Sequence, residues 1–205
     1  MKKLLLWLFF LIPVWLTAET INHGGWKLEN EKNGIKIYTR DVKGSKLKQV
    51  KAVTSVDASI ETVIYVLTDY PNYSKWVNNV IESKIIRQEE DNVHYVYTYE
   101  DAPWPVQNRY NVSKMTLNRN HDNCTLYFEA VPDLMEKRSD AIEVERYEGW
   151  WKVLTMPEGG CSVEYIIAEN PGGYIPTWLI NYMAVDAPMR TIENLKNMVE
   201  QIARS

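Results

Sequence analysis

Few side chains in this sequence could do chemistry, and the most conspicuous are arginines and tyrosines. His23, His94 and His121 are its three histidines, and they fall in separate regions without ligand spacing. A metal centre is therefore not expected, and no cofactor is implied. The sequence has neither a Gly-rich phosphate loop nor a nucleophile elbow. Arg146 stands out instead. If residues 141–156 form one strand, Ile142, Val144 and Arg146 share an apolar side. A charge there binds the polar group of a ligand, pairs with an acid on a neighbouring strand, or is turned outward by a bulge. Arg109 poses a similar choice: it enters an internal space, or it bonds loop carbonyls near Pro105. The best acid–base pair on offer is Arg146 with Tyr97 or Tyr165, a thin basis for catalysis. The expectation is a binding protein with no catalytic residue.

These side chains need a scaffold, and hydrophobic periodicity outlines one. Strands are expected at 34–38, 48–56, 81–88, 93–99, 110–117, 124–131, 141–156 and 160–168, separated by turn residues such as Glu89-Glu90-Asp91-Asn92. Asp57 is expected to cap a short helix that turns Val63, Val66 and Leu67 inward, followed by a turn with Tyr73, Trp76 and Val80. Asn170-Pro171-Gly172-Gly173-Tyr174-Ile175-Pro176 then ends the run of strands. Pro171 cannot donate to a ladder, and the two glycines permit positive φ. Residues 177–204 have helical spacing, with a break expected near Asp186-Ala187-Pro188 and Asp186 as cap. Ile192, Leu195, Met198 or Val199, and Ile202 lie along one stripe of this segment.

The strand at 141–156 is far longer than the usual five or six residues or so, and long antiparallel strands twist and curve. A helix laid across a curved sheet leaves a space between the two. Parity and bulk assign its lining to Phe128, Val144, Tyr165 and Tyr97 on strands, and to Trp178 and Tyr182 on the helix. Trp104, held between two prolines, is expected to pack the end of that space. His94 alternates against Tyr95, Tyr97 and Tyr99 and is expected to be exposed.

The N-terminus bears on compartment. Lys2-Lys3 precedes an almost wholly apolar stretch from Leu4 to Leu16, with a small residue, Ala18, at the expected cut. This reads as a cleaved signal peptide over 1–18, too short to cross about 30 Å of hydrocarbon. The remaining 19–205 is expected to be one exported domain, periplasmic or secreted. Removing Lys2 and Lys3 moves the net charge from −4 to −6, which argues against nucleic acid as a partner. Cys124 and Cys161 start strands expected to flank a third. That puts them about 9.6 Å apart, beyond the roughly 7 Å limit for a bridge, so two buried thiols are expected. A monomer is expected as well.

Three segments carry a family resemblance: VLTDYPNYSKWV (66–77), APWPVQNRY (102–110) and YEGWWKVLTMPEGGCSVEYIIAENPGGYIPTWLIN (147–181). Together they resemble the START domain, the steroidogenic-acute-regulatory-related lipid-transfer family, from about Trp26 to the C-terminus. Where that family commonly has Arg-Asp after the PWP element, this chain has Arg109-Tyr110, so no Asp role carries over to position 110. The resemblance implies an α+β helix-grip fold: a curved antiparallel sheet wrapped around a long C-terminal helix, with an internal apolar tunnel. It further implies binding of a lipid or other hydrophobic molecule, with transient membrane contact. Two alternatives remain: an enzyme similar to polyketide cyclases, and an interaction module whose cavity is filled by its own side chains.

Overall fold

The computed structural model describes residues 25–43 and 47–205. The proposed signal peptide over 1–18 lies outside the described residues. One ten-stranded sheet dominates. Its strands are β1 (Lys27–Lys32), β2 (Ile35–Asp41), β3 (Lys48–Val56), β4 (Val80–Glu90), β5 (Val93–Glu100), β6 (Asn108–Arg119), β7 (Asn123–Ala130), β8 (Ala141–Glu143), β9 (Arg146–Thr155) and β10 (Cys161–Asn170). The order is β1-β2-β3-β10-β9-β7-β6-β5-β4, antiparallel throughout, with β8 added parallel to β6. Strand β1 was not anticipated, although Asn33-Gly34, both at positive φ, forms the hairpin turn that announces it.

Helix α1 (Ile60–Thr68) starts two residues later than expected. Ser59, not Asp57, is the cap, and its Oγ accepts from the Thr62 amide at 3.2 Å. Val63, Val66 and Leu67 are buried as periodicity requires. A 3-10 turn, Tyr70–Lys75, then delivers Tyr73 and Trp76 into the core. The C-terminal helix does not break at Asp186. Instead α2 (Thr177–Asn181) passes through a π-helical turn, Tyr182–Asp186, into α3 (Ala187–Ala203). Asp186 is itself helical and makes no capping bond. Helix α3 buries Ile192, Leu195 and Val199 against β2, β3 and α1, while Ile202 is exposed.

The main core lies between the concave face of the sheet and these helices. Glycine makes its curvature possible at one crowded point. A Cβ on Gly149 of β9 would run into the Ile166 carbonyl oxygen and lie 2.6 Å from Phe128 Cζ. Cys124 and Cys161 are buried free thiols on β7 and β10, the two neighbours of β9. A smaller cluster sits on the opposite face. There Tyr95, Tyr97, Tyr110 and Val112 are covered by Val131 and Met135 of the segment between β7 and β8.

Candidate functional site

Two faces of the sheet meet two environments, and parity decides which side chains reach the interior. On β5 and β6 the register pairs Glu100 with Arg109 and Thr98 with Asn111. These pairs point to the concave side, and Tyr95, Tyr97 and Tyr99 to the convex side. On β10 the inward parity of Tyr165 and Ile167 continues to Glu169.

A cavity of about 480 Å³ lies at this end of the sheet. Its floor is Thr39, Val50, Tyr147, Tyr165 and Ile167, with Glu100, Arg109 and Glu169 grouped on one side. Its roof is Leu179, Ile180 and the π turn, through Tyr182, Met183, Ala184 and Val185. π turns recur at functional positions in helices. This one is fastened to the chain after the 3-10 turn. The Tyr182 hydroxyl accepts from Asn78 Nδ2 at 2.8 Å and donates to Asn79 Oδ1 at 3.4 Å. Exposed Lys27 and Lys48, both paired with Glu29, line the side towards β1.

Arg109 is 5 % exposed. Its Nε and Nη2 donate to the Pro171 and Gly172 carbonyls at 3.4 and 3.3 Å, and its Nη1 donates to the Gln107 carbonyl. The guanidinium thus holds together the loop before β6 and the Pro171-Gly172-Gly173 turn, where both glycines are left-handed. Both alternatives for Arg109 are realised at once: it lines the cavity and it bonds loop carbonyls. Burial lowers its pKa, against the opposing fields of Glu169 and Glu100.

The carboxyls of Glu100 and Glu169 have no hydrogen-bond or ion-pair partner among the described residues, although both residues are paired through their backbones in the sheet. Burial pushes Glu100 up to about 7, with Arg109 pulling the other way. Burial, then the neighbouring Glu100, pushes Glu169 up to about 8, again opposed by Arg109. Two carboxyls and one arginine therefore share this end of the cavity, and burial favours the protonated form of the carboxyls. Burial also raises the Tyr147 and Tyr165 hydroxyls well above the ordinary tyrosine value.

Of the side chains assigned to this space from sequence, Arg109, Tyr165 and Tyr182 line the cavity. Phe128 lies deeper, at a small chamber behind it. Five are placed elsewhere. Arg146 is 59 % exposed and pairs with Glu148 at 3.4 Å. The segment 141–156 is two strands, and the break after Glu143 shifts parity so that Tyr147, Trp151 and Val153 take the inner side. Val144 is buried beside that break and does not reach the cavity. Tyr97 is buried on the convex side under Arg138, whose Nη1 donates to its hydroxyl at 3.3 Å. Trp104 is 90 % exposed and packs no cavity end. Trp178 faces outward from α2, half exposed. His94, expected outside, lies on the inner side of β5 with its ring 5.2 Å from that of Tyr70.

Comparison with known proteins agrees with this geometry. The START domain family model matches residues 15–200. An uncharacterised protein of Pseudomonas aeruginosa is 32 % identical over 177 residues, covering 86 % of this chain and 87 % of its own. The phosphatidylcholine transfer protein of Rattus norvegicus is 28 % identical over 178 residues, covering 82 % and 81 %. Among solved structures, the STAR-related lipid transfer protein of Xanthomonas axonopodis superposes with a TM-score of 0.79 at 33 % identity, over 86 % of this chain and 99 % of that one. With a curved antiparallel sheet, a C-terminal helix across it and a match spanning nearly its whole length, this chain belongs to the START domain family.

Proposed function

We propose that this protein binds one lipid in the cavity beneath the π turn and carries it between membranes, without chemistry. The observation that carries the reading is a mainly apolar cavity in which Glu100, Arg109 and Glu169 are grouped at one end, with Lys27, Glu29 and Lys48 along the side towards β1. Such a space suits an amphiphile: burial of the tail supplies affinity and a few polar groups set orientation. Each buried methylene contributes about 0.8 kcal/mol, so one chain is worth on the order of 10 kcal/mol before association costs. At about 30 Å³ per water-sized group, 480 Å³ holds roughly sixteen such groups. That matches a single acyl chain better than a two-chain phospholipid.

The cyclase-like alternative relied on Arg146 with Tyr97 or Tyr165. Arg146 and Tyr97 lie outside the cavity, so that pair is not assembled. Membrane contact is proposed through Trp104, Tyr174 and Trp178, exposed at 90, 84 and 50 %. Their two segments adjoin the cavity through Pro103, Pro171 and Leu179 and are tied together by Arg109. Tyr and Trp favour the interface between water and hydrocarbon. Export, with residues 1–18 removed, and a monomeric carrier complete the proposal.

Transfer of a fluorescent single-chain lipid between donor and acceptor vesicles tests it. Transfer proportional to protein concentration is expected. Vesicle-only rates with the purified mature chain would reject the carrier.

A further inference from the structure

The side of the cavity towards β1 has a charge balance opposite to that of its acidic end. Across β1, β2, β3 and β10 the register aligns Lys27, Thr39, Val50 and Ile167 in one row, and all four line the cavity. The row leads from an ammonium group at the sheet edge to an apolar floor. Beside it, Glu29 has three partners. Its Oε1 accepts from Thr39 Oγ1 at 2.7 Å, Lys27 Nζ lies 3.0 Å from Oε2, and Lys48 Nζ lies 3.5 Å from Oε1. Two ammonium groups thus share one carboxylate, which leaves a net positive charge. Each ammonium carries three N–H donors. Neither Lys27 nor Lys48 has another hydrogen-bond or ion-pair partner among the described residues. The carboxylate is more enclosed than either lysine, so the remaining donors stand at the open rim.

Glu100, Asp101 and Glu169 line the other end with Arg109, whose guanidinium is taken up by three backbone carbonyls. An anionic head there would face carboxyls and a donor already engaged. At the rim it meets two ammonium groups with donors to give, and it stays partly in water, which avoids the cost of burying a charge. We propose that the cavity selects single-chain lipids with an anionic head, a carboxylate or a phosphate monoester, seated on Lys27 and Lys48 with the tail over Val50 and Ile167. This rests on the reading of the cavity as a lipid site.

The test compares decanoate with 1-decanol by isothermal titration calorimetry at neutral pH. Added salt is expected to lower the ratio of decanoate to decanol affinity, because it screens an exposed ion contact. A head at the acidic end would gain from salt instead. Lys27→Gln/Lys48→Gln is expected to lower the same ratio about five-fold, the worth of one or two exposed ion contacts. Glu29→Gln, which keeps an acceptor for Thr39, is expected to raise it by releasing both ammonium groups. A ratio that salt leaves unchanged or raises in the unaltered protein overturns the anionic-head site and leaves the lipid cavity standing, whether or not the variants fold. A ratio unmoved in the lysine double variant overturns it too. Failure of both probes to bind overturns the cavity reading as well.

Discussion

Glu100 and Arg109 stand directly opposite each other on β5 and β6, yet the guanidinium donates to three loop carbonyls and not to that carboxylate. Arg109 is thus a clamp for two loops and, at longer range, the countercharge of an acidic pair. Arg109→Ala should destabilise the fold by about 3 kcal/mol, from three lost charge-assisted bonds and two acids left without a countercharge. Urea unfolding measures this. Lysine should restore little, because it cannot reproduce the planar fork that reaches all three carbonyls. Arg146→Ala, by contrast, removes one exposed pair and should change stability by less than about 1 kcal/mol. Its lipid binding should equal that of the parent.

Stability should fall as pH rises through neutrality. Burial raises the carboxyls of Glu100 and Glu169 above the ordinary glutamate value of 4.5, to about 7 and about 8. Between those limits the folded state holds protons that the unfolded chain has released, so the slope of stability with pH is negative. The effect sets in as pH rises past about 4.5 and is complete only well above about 8, once both carboxyls have lost their protons in the folded state. Urea midpoints across that range should decline, and the decline should flatten in Glu100→Gln/Glu169→Gln. A midpoint that rises with pH over the same window in the parent, but not in the double variant, would contradict the assignment.

The contrast between Glu169 and Arg146 shows what was legible in the sequence. Alternation on β10 carries from Tyr165 and Ile167 straight to Glu169, so the same reading that found Tyr165 contained the acid. Glu100 likewise follows Val96 and Thr98. Both were passed over because a charge at a strand end reads as solvated unless the closing helix is known to cover that end. Arg146 failed for the opposite reason. Period-two reading assumes an unbroken ladder, and the pairing of β8 with β6 interrupts it. Tyr97 lies inside, but on the wrong side: the segment after β7 buries a patch of the convex face, and alternation alone cannot tell one buried face from another. Most strands and the apolar stripe of α3 were readable because they depend on local spacing, and the buried thiols because the order of the strands that carry them was.

Gly149→Ala should be among the most damaging single substitutions. The added methyl would meet the Ile166 carbonyl and the Phe128 ring, both fixed within a ladder that pairs β9 on two sides. A loss of about 3 kcal/mol or more is expected from such overpacking, read as poor soluble yield or a large drop in urea midpoint. A midpoint within error of the parent would show that the sheet relaxes there at little cost.

The exposed aromatic cluster should govern membrane contact without touching cargo affinity. Trp104→Ser/Tyr174→Ser should co-sediment less with phosphatidylcholine vesicles. The dependence on salt should be weak, since Trp104, Tyr174 and Trp178 are uncharged. Equal sedimentation of parent and variant would move the contact surface elsewhere.

Native mass spectrometry of residues 19–205, purified without detergent and followed by lipid extraction, tests the central claim most directly. The account predicts one bound amphiphile per chain, of single-chain size, released on unfolding. A mass equal to the bare polypeptide, unchanged after incubation with fatty acids, monoacylglycerols and phospholipids, would contradict it.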